Sequence, residues 1–232
     1  MRIAALAISV LLLAAACRAE TPRPRSLVVY GDSFSLGTGT GHPPGWPDRL
    51  EAMLDRGGRD WSVINRSING NGLVWRTRCF GEPALARLRS EWPEIEGDRL
   101  IVVMAGVNDV IQPNLPAGSS DCFDPADFPA SSVIGPLDEL RQSSHGRRIL
   151  LATIPPSSGS EFHSPAAEAR RTDINRWIEA NWPRVDVIDL ARLLASPDDP
   201  SRLNPDLDSG DGLHPNDKGA SVIAAAVMEL IR

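Results

Sequence analysis

Runs of basic residues are absent from this chain of 232 residues, and its 24 Lys and Arg residues are outnumbered by 30 Asp and Glu residues. The resulting formal net charge of −6 provides no attraction for nucleic acid or for an anionic surface. The sequence is also far from the compositions of disordered or collagen-like proteins, because 42% of its residues are hydrophobic and 23% are charged. These values are typical of a globular protein, and the length favours one large domain.

The chain lacks a hydrophobic run long enough to cross a bilayer as a helix, which takes about 20 residues. Its longest apolar run, over 3–16, follows Arg2 and ends in alanines. This pattern is typical of an export signal rather than of a buried N-terminal helix. We therefore predict a signal peptide over 1–16, a polar linker over 17–25 and a single domain over 26–232. The exported protein is expected in the periplasm, outside the cell or anchored at a membrane.

The end of the predicted signal peptide leaves two kinds of processing open. The alanines before Cys17 resemble a bacterial lipobox, in which the cysteine becomes the lipidated first residue. Alanine replaces the commoner leucine three positions before Cys17, and simple cleavage after Ala16 or Ala19 fits the sequence as well. A lipid anchor at Cys17 is therefore one of two alternatives.

Cysteines are scarce, with three in the chain and no CxxC spacing, which argues against a zinc site. Export would bring Cys79 and Cys122 into an oxidising compartment, where a disulfide persists. With Cys17 lipidated or removed, these two cysteines form the expected pair. Two unpaired thiols are the alternative.

Short apolar runs alternate with helical patterns from residue 26 onward. The predicted strands, each apolar enough to be buried on both faces of a sheet, are 27–30, 61–64, 100–104, 149–152 and 185–188. The predicted helices are 47–56, 83–92, 132–145, a helix opened by Ser164 and Pro165 that continues through 178, and 217–231. Strict alternation predicts a three-layer α/β domain with right-handed crossovers. Ligands bind such sheets at the carboxyl ends of the strands.

Polar residues capable of nucleophilic or acid–base chemistry lie in the loops at that predicted edge. Ser33 follows the first strand, Gly70 the second and Asn108 the third, while Asp211 and His214 precede the last helix. Each residue alone has an ordinary interpretation as a helix cap or a turn residue. Together they supply a hydroxyl nucleophile, a base, a carboxylate to orient the base, and fixed N–H donors for an oxyanion.

Four segments of the sequence resemble the sequence blocks of the SGNH, or GDSL, hydrolase family. The segments are Gly31-Asp32-Ser33-Phe34-Ser35, Ser67-Ile68-Asn69-Gly70, Gly106-Val107-Asn108-Asp109 and Asp211-Gly212-Leu213-His214-Pro215. The resemblance implies that Ser33 is the nucleophile, His214 the base and Asp211 its carboxylate partner. It also implies an oxyanion hole formed by the N–H groups of Ser33 and Gly70 and the side-chain amide of Asn108.

The same resemblance implies a fold and an activity. The fold is a flavodoxin-like three-layer α/β/α domain with a parallel five-stranded sheet in the order 2-1-3-4-5. The activity is hydrolysis of carboxylic esters or thioesters of small molecules or glycans, without metal or cofactor. A carbohydrate or cell-wall O-deacetylase and a non-catalytic binding module are the alternatives. Long insertions over 71–82 and 112–132 leave the choice of substrate open, and the sequence does not fix the oligomeric state.

Several residues near the predicted site have structural interpretations. Asp32, Ser35 and Asp109 are expected to act as caps or braces of loops. Trp46 and Trp75 lie in loops near the site. Each of them either lines a pocket or packs against other side chains, and the sequence leaves both alternatives open. The tryptophans that lie in or beside core-facing patterns are expected to pack in the core; these are Trp61, Trp177 and Trp182.

Overall fold

The computed structural model describes residues 25–40, 45–95, 99–116, 121–122, 128–144 and 146–231. The predicted signal peptide over 1–16, Cys17 and the linker up to residue 24 lie outside the described residues, so their predictions stand as made. None of the helices in the described part of the chain is both long and apolar enough to cross a bilayer.

Five parallel strands form one sheet in the order β2-β1-β3-β4-β5. Their bounds are β1 Arg25–Gly31, β2 Trp61–Asn65, β3 Arg99–Met104, β4 Ile149–Ala152 and β5 Val187–Ile188. In the register, Val28 of β1 pairs with Ile64 of β2 and Ile101 of β3. This order confirms the fold that the family resemblance implied.

Eight helices surround the sheet in the described chain. Their bounds are α1 Ser33–Leu36, α2 Trp46–Arg56, α3 Ala84–Glu91, α4 Val107–Ile111, α5 Ser131–Ser143, α6 Pro165–Asn181, α7 Leu190–Leu193 and α8 Asp217–Leu230. The helix α2 packs beside α8, and α6 packs beside α4 and α5, as a three-layer arrangement requires. The apolar residues of β1, β3 and β4 between these layers are buried, which explains their nearly continuous hydrophobic sequence.

The fifth strand is shorter than the sequence predicts. The expected range was 185–188, but Arg184–Asp186 form a 3₁₀ helix and only Val187–Ile188 pair with β4. Val185 is 69% exposed, whereas Ile188 is buried. Apolar residues at alternate positions, here Val185 and Val187, are compatible with a strand. Pairing with β4 begins only at Val187, after the exposed part of the predicted run.

Trp46 is a core residue rather than a residue that lines a pocket. Its side chain is fully buried and its indole N–H donates to Ser35 Oγ at 3.1 Å. That contact ties the start of α2 to α1, the helix that begins with Ser33. Trp75 is half-buried and packs edge-on against Phe128, with 4.7 Å between the ring centroids.

Cys79 and Cys122 are joined by a disulfide, with their Cα atoms 5.2 Å apart. The backbone N–H of Arg78 also donates to the carbonyl of Cys122 at 3.4 Å. Cys79 lies between β2 and α3, and Cys122 between α4 and α5. The bond therefore links the two loops that the sequence identifies as insertions.

We expect replacement of both cysteines by serine to lower the free energy of unfolding by about 3–4 kcal/mol. In the chain-entropy model, a bond between residues 43 apart in sequence restricts the unfolded chain by roughly that amount. Denaturant unfolding of the oxidised protein and the variant measures the difference. Reductant should bring the wild-type protein to the stability of the variant, and equal stabilities without reductant would contradict the prediction.

Candidate active site

The residues singled out in the sequence meet at the carboxyl edge of the sheet. Ser33 begins α1 directly after β1, Gly70 lies in a turn after β2, and Asn108 lies in α4 after β3. His214 lies in the loop that leads into α8, and its ring reaches Ser33. This is the edge at which parallel α/β sheets bind ligands.

Ser33 is held by the sharp turn between β1 and α1. Asp32 caps the helix by accepting the N–H of Phe34 at 3.0 Å, and Ser33 itself is 5% exposed. A Cβ atom at Gly31 would lie 2.8 Å from the carbonyl oxygen of Met104, so only glycine lets the turn pack so closely on β3. The Ser33 N–H is the first amide of α1, and no described group accepts a hydrogen bond from it.

Ser33, His214 and Asp211 form a continuous chain of hydrogen bonds. His214 Nε2 lies 2.9 Å from Ser33 Oγ, and His214 Nδ1 lies 2.6 Å from Asp211 Oδ2. Asp211 Oδ1 accepts two backbone N–H groups, from Leu213 at 2.9 Å and from His214 at 2.7 Å. The carboxylate thus fixes both the ring and the backbone of the same histidine.

The environment of Asp211 keeps its side chain ionised. Burial works to raise the pKa of Asp211, but the hydrogen bonds from the backbone and the ring of His214 and from Leu213 outweigh it and lower the pKa. An ionised carboxylate can only accept, so His214 Nδ1 carries the proton on that side. In the neutral imidazole, Nε2 is then the acceptor that faces Ser33 Oγ.

Gly70 lies in a turn that requires glycine. Its φ is +70°, and the turn is closed by the N–H of Asn71, which donates to the carbonyl of Ile68 at 3.1 Å. A Cβ atom at Gly70 would also lie 2.7 Å from the ring of Phe80. No described group accepts the N–H of Gly70, which is left available to a ligand.

The amide of Asn108 lies in a buried network that joins the loops after β2 and β3. Asn108 Nδ2 donates to the carbonyl of Asn71 at 3.1 Å and lies 3.5 Å from Asp32 Oδ2. Asn108 Oδ1 accepts from Gln112 Nε2 at 2.8 Å, and Gln112 Nε2 also donates to the carbonyl of Gly70 at 3.1 Å. Sequence reasoning missed Gln112, although its position four residues after Asn108 places both side chains on one helical face.

Two buried carboxylates brace the site from below, as expected of Asp32 and Asp109. Asp109 accepts three consecutive backbone N–H groups, from Leu73, Val74 and Trp75, at 2.5, 2.7 and 2.7 Å. It thereby fixes the start of the insertion after Gly70. Burial raises the pKa of Asp109, and burial raises the pKa of Asp32 to about 7.

We expect the folded protein to lose stability as the pH rises from about 4 towards 7, because burial raises the pKa of Asp32 from 3.8 to about 7. The stabilisation that comes from the raised pKa of Asp32 is fully present below pH 3.8. Between the two, the folded chain holds a proton that the unfolded chain has released, so rising pH favours unfolding by up to about 1.4 kcal/mol per pH unit. Asp32→Asn should therefore lose stability less steeply, and urea unfolding at several pH values measures both slopes. Equal slopes would contradict the prediction.

No cluster of three or more metal-ligating side chains occurs among the described residues. Two aspartates of the loop before His214, Asp206 and Asp208, have hydrogen-bond or ion-pair partners in that loop and in α8. Asp208 Oδ1 accepts the N–H groups of Gly210 and Gly212 at 2.9 and 3.1 Å. Asp206 pairs with Lys218 at 2.9 Å.

Comparison with known proteins identifies the family of the chain. The profile of the GDSL-like lipase/acylhydrolase family matches residues 29–222. No curated protein matches the chain.

Solved structures share the fold. A psychrotrophic esterase from Pseudoalteromonas sp., inhibited by monoethylphosphonate, is 20% identical with a TM-score of 0.60, covering 89% of this chain and 96% of its own. A lipase/acylhydrolase from Enterococcus faecalis is 20% identical with a TM-score of 0.62, covering 89% and 95%. An acetyl xylan esterase is 19% identical with a TM-score of 0.59, covering 89% and 100%. The resemblance drawn from the four sequence blocks is thus confirmed, and the chain belongs to the GDSL-like lipase/acylhydrolase family.

Proposed function

We propose that this protein is an exported serine hydrolase that cleaves carboxylic esters through an acyl-enzyme intermediate. The observation that carries the proposal is the unbroken chain of hydrogen bonds from Ser33 Oγ through His214 to Asp211, at 2.9 and 2.6 Å. A hydroxyl, an imidazole and a carboxylate in this order are the groups that serine hydrolases use. Family membership and the two unoccupied N–H groups at Ser33 and Gly70 support the same reading.

In the proposed mechanism, His214 Nε2 takes the proton of Ser33 while Oγ attacks the acyl carbonyl carbon. Asp211 holds the imidazole tautomer and stabilises the imidazolium that forms. The carbonyl oxygen gains negative charge, which the N–H groups of Ser33 and Gly70 and the amide of Asn108 stabilise. When the tetrahedral intermediate collapses, the bond to the alkoxy oxygen breaks and His214 gives its proton to the leaving alcohol. Water repeats the sequence on the acyl-enzyme, releasing the acid and restoring Ser33.

Export is part of the proposal because two independent features support it. The apolar stretch over 3–16 is typical of a signal peptide, and the disulfide is of the kind that persists in oxidising compartments. Cys17 is the candidate for a lipid anchor if the signal is processed as a lipoprotein signal.

The substrate class has two candidates, an acyl ester of a small alcohol and an acetylated glycan. The second is favoured by the similarity to an acetyl xylan esterase, which shares the fold at 19% identity. A panel of p-nitrophenyl esters from acetyl to dodecanoyl, together with acetylated xylan, tests both. Ester turnover that disappears in Ser33→Ala is the expected result. Absence of turnover on every ester would favour a non-catalytic binding module.

A further inference from the structure

One side chain joins two parts of the proposed oxyanion hole that come from different loops. Gln112 Nε2 donates to the carbonyl of Gly70 at 3.1 Å and to Asn108 Oδ1 at 2.8 Å. Gln112 is only 3% exposed, so both hydrogen bonds lie away from bulk water. Its two N–H groups are thus divided between the loop after β2 and the helix after β3.

Gln112 is one of two groups that fix which way the Asn108 amide points, the other being the carbonyl of Asn71. In the observed orientation, Oδ1 accepts from Gln112, and the two N–H groups of Nδ2 face the carbonyl of Asn71 at 3.1 Å and Asp32 Oδ2 at 3.5 Å. A flipped amide would place Nδ2 against the donor of Gln112 and Oδ1 against the carbonyl of Asn71. Both contacts would then be repulsive, so Gln112 and the Asn71 carbonyl together exclude the orientation that offers an oxygen to the oxyanion.

The second contact fixes the loop that carries Gly70. The carbonyls of Gly70 and Asn71 are both engaged by side chains from the segment after β3, namely Gln112 and Asn108. The backbone N–H of Gly70 has no partner among the described residues. The hydrogen bonds to the carbonyls of Gly70 and Asn71 therefore fix the position of Gly70, whose N–H remains available.

Gln112 follows a helix end that is well anchored, but one of its own polar atoms has no hydrogen-bond partner among the described groups. Arg170 and Asn114 both donate to the carbonyl of Val110, at 2.9 and 2.8 Å, and so fix the end of α4. Gln112 Oε1 is buried and has no partner among the described groups. A buried acceptor without a partner lowers stability, whereas both N–H groups of the same amide are used. A side chain that carries this cost while its donors hold two other groups points to a function for those donors.

We propose that Gln112 is a positioning residue of the oxyanion hole, which orients the Asn108 amide and fixes the Gly70 turn. The inference rests on the proposed function. Gln112 acts through Asn108 and Gly70 and does not touch the reacting atoms itself. Its loss should therefore weaken stabilisation of the transition state without changing how the substrate binds.

The test is a double-mutant cycle on ester hydrolysis with the full chain. Asn108→Ala removes one donor and is expected to lower kcat by about 10²–10³-fold. Gln112→Met leaves the donor present but disoriented, so we expect kcat to fall by about tenfold or more, with KM changed by less than about twofold. In the double variant the loss should be smaller than the product of the two single losses, because the part of the Gln112 effect that passes through Asn108 is already absent in Asn108→Ala.

Gln142→Met is the matched control. Gln142 lies on the exposed side of α5 and its amide donates to Asp138 Oδ2 at 2.8 Å, so this variant also loses a side-chain hydrogen bond of an amide. Its kcat should equal that of the wild type. Thermal unfolding of Gln112→Met should stay cooperative with a lowered midpoint, because the Gly70 carbonyl and Asn108 Oδ1 lose their donor. Comparing kcat well below that midpoint separates positioning from a general loss of structure.

A kcat of Gln112→Met within about twofold of the wild type would overturn the inference, and so would losses that multiply in the double variant. If Gln112→Met does not fold, Gln112→Leu takes the same test, because leucine also lacks the donor and is apolar. Full activity of Ser33→Ala would instead overturn the proposed function itself. The two failures are therefore distinguishable.

Discussion

Ser33→Ala is expected to reduce ester hydrolysis by at least about 10⁴-fold while leaving the fold intact. The proposed covalent step needs the oxygen that this variant lacks, and no other described hydroxyl lies within hydrogen-bond distance of His214 Nε2. The described contact of the Ser33 hydroxyl is with His214, and the turn depends on Asp32 and Gly31. Activity of the purified variant and its thermal unfolding give the two measurements.

Ser67→Ala is the matched control for this result. Ser67 follows β2 at the same edge of the sheet, and its hydroxyl is buried without a partner among the described residues. It lies close to Gly31, since a Cβ atom there would be 2.8 Å from Ser67 Oγ. Loss of this hydroxyl should leave activity within about twofold of the wild type, because it takes part in no step. Activity of both Ser33→Ala and Ser67→Ala near the wild-type level would remove Ser33 from the mechanism.

The sheet and the placement of the site could be predicted because they follow from local patterns. Strands buried on both faces require nearly unbroken apolar runs, and those runs mark β1, β3 and β4 in the sequence within one or two residues at each end. The edge strand β2 was also located, although its residues are only half-buried or exposed. Parallel strands bring their carboxyl ends to one edge, so residues that follow different strands are expected to meet. The strand order itself came from the family resemblance.

The contacts that refine the site could not be predicted, since they join side chains distant in sequence. Gln112 reaches the carbonyl of Gly70 across 42 positions, and Phe80 packs over Gly70 only because the insertion folds back. The burial of Trp46 also depends on a contact with a residue elsewhere in the sequence. Its position beside proline and glycine suggests a loop, but the hydrogen bond to Ser35 draws the indole into the core. No periodic pattern encodes such contacts.

Asp211→Asn is expected to lower kcat by about 10⁴-fold, with little change in KM, although it replaces one oxygen by a nitrogen of the same size. Two backbone N–H groups, from Leu213 and His214, donate to Asp211 Oδ1. The amide oxygen of asparagine is needed there, because an NH₂ group would face two donors. The NH₂ group is thereby turned towards His214 Nδ1. That ring nitrogen must then accept, so the neutral ring carries its proton on Nε2 and cannot take the proton of Ser33.

Asp208→Asn separates this effect from simple loss of charge near the site. Asp208 lies three residues before Asp211 in the same loop, and its Oδ1 also accepts two backbone N–H groups, from Gly210 and Gly212. An asparagine keeps those bonds through its own oxygen, and none of the described contacts of Asp208 involves the ring of His214. Its kcat should stay within a few-fold of the wild type. Steady-state kinetics of the two variants in parallel decide the matter: similar losses would mean that Asp211 acts through charge alone, whereas a large loss confined to Asp211→Asn means that it fixes the tautomer of His214.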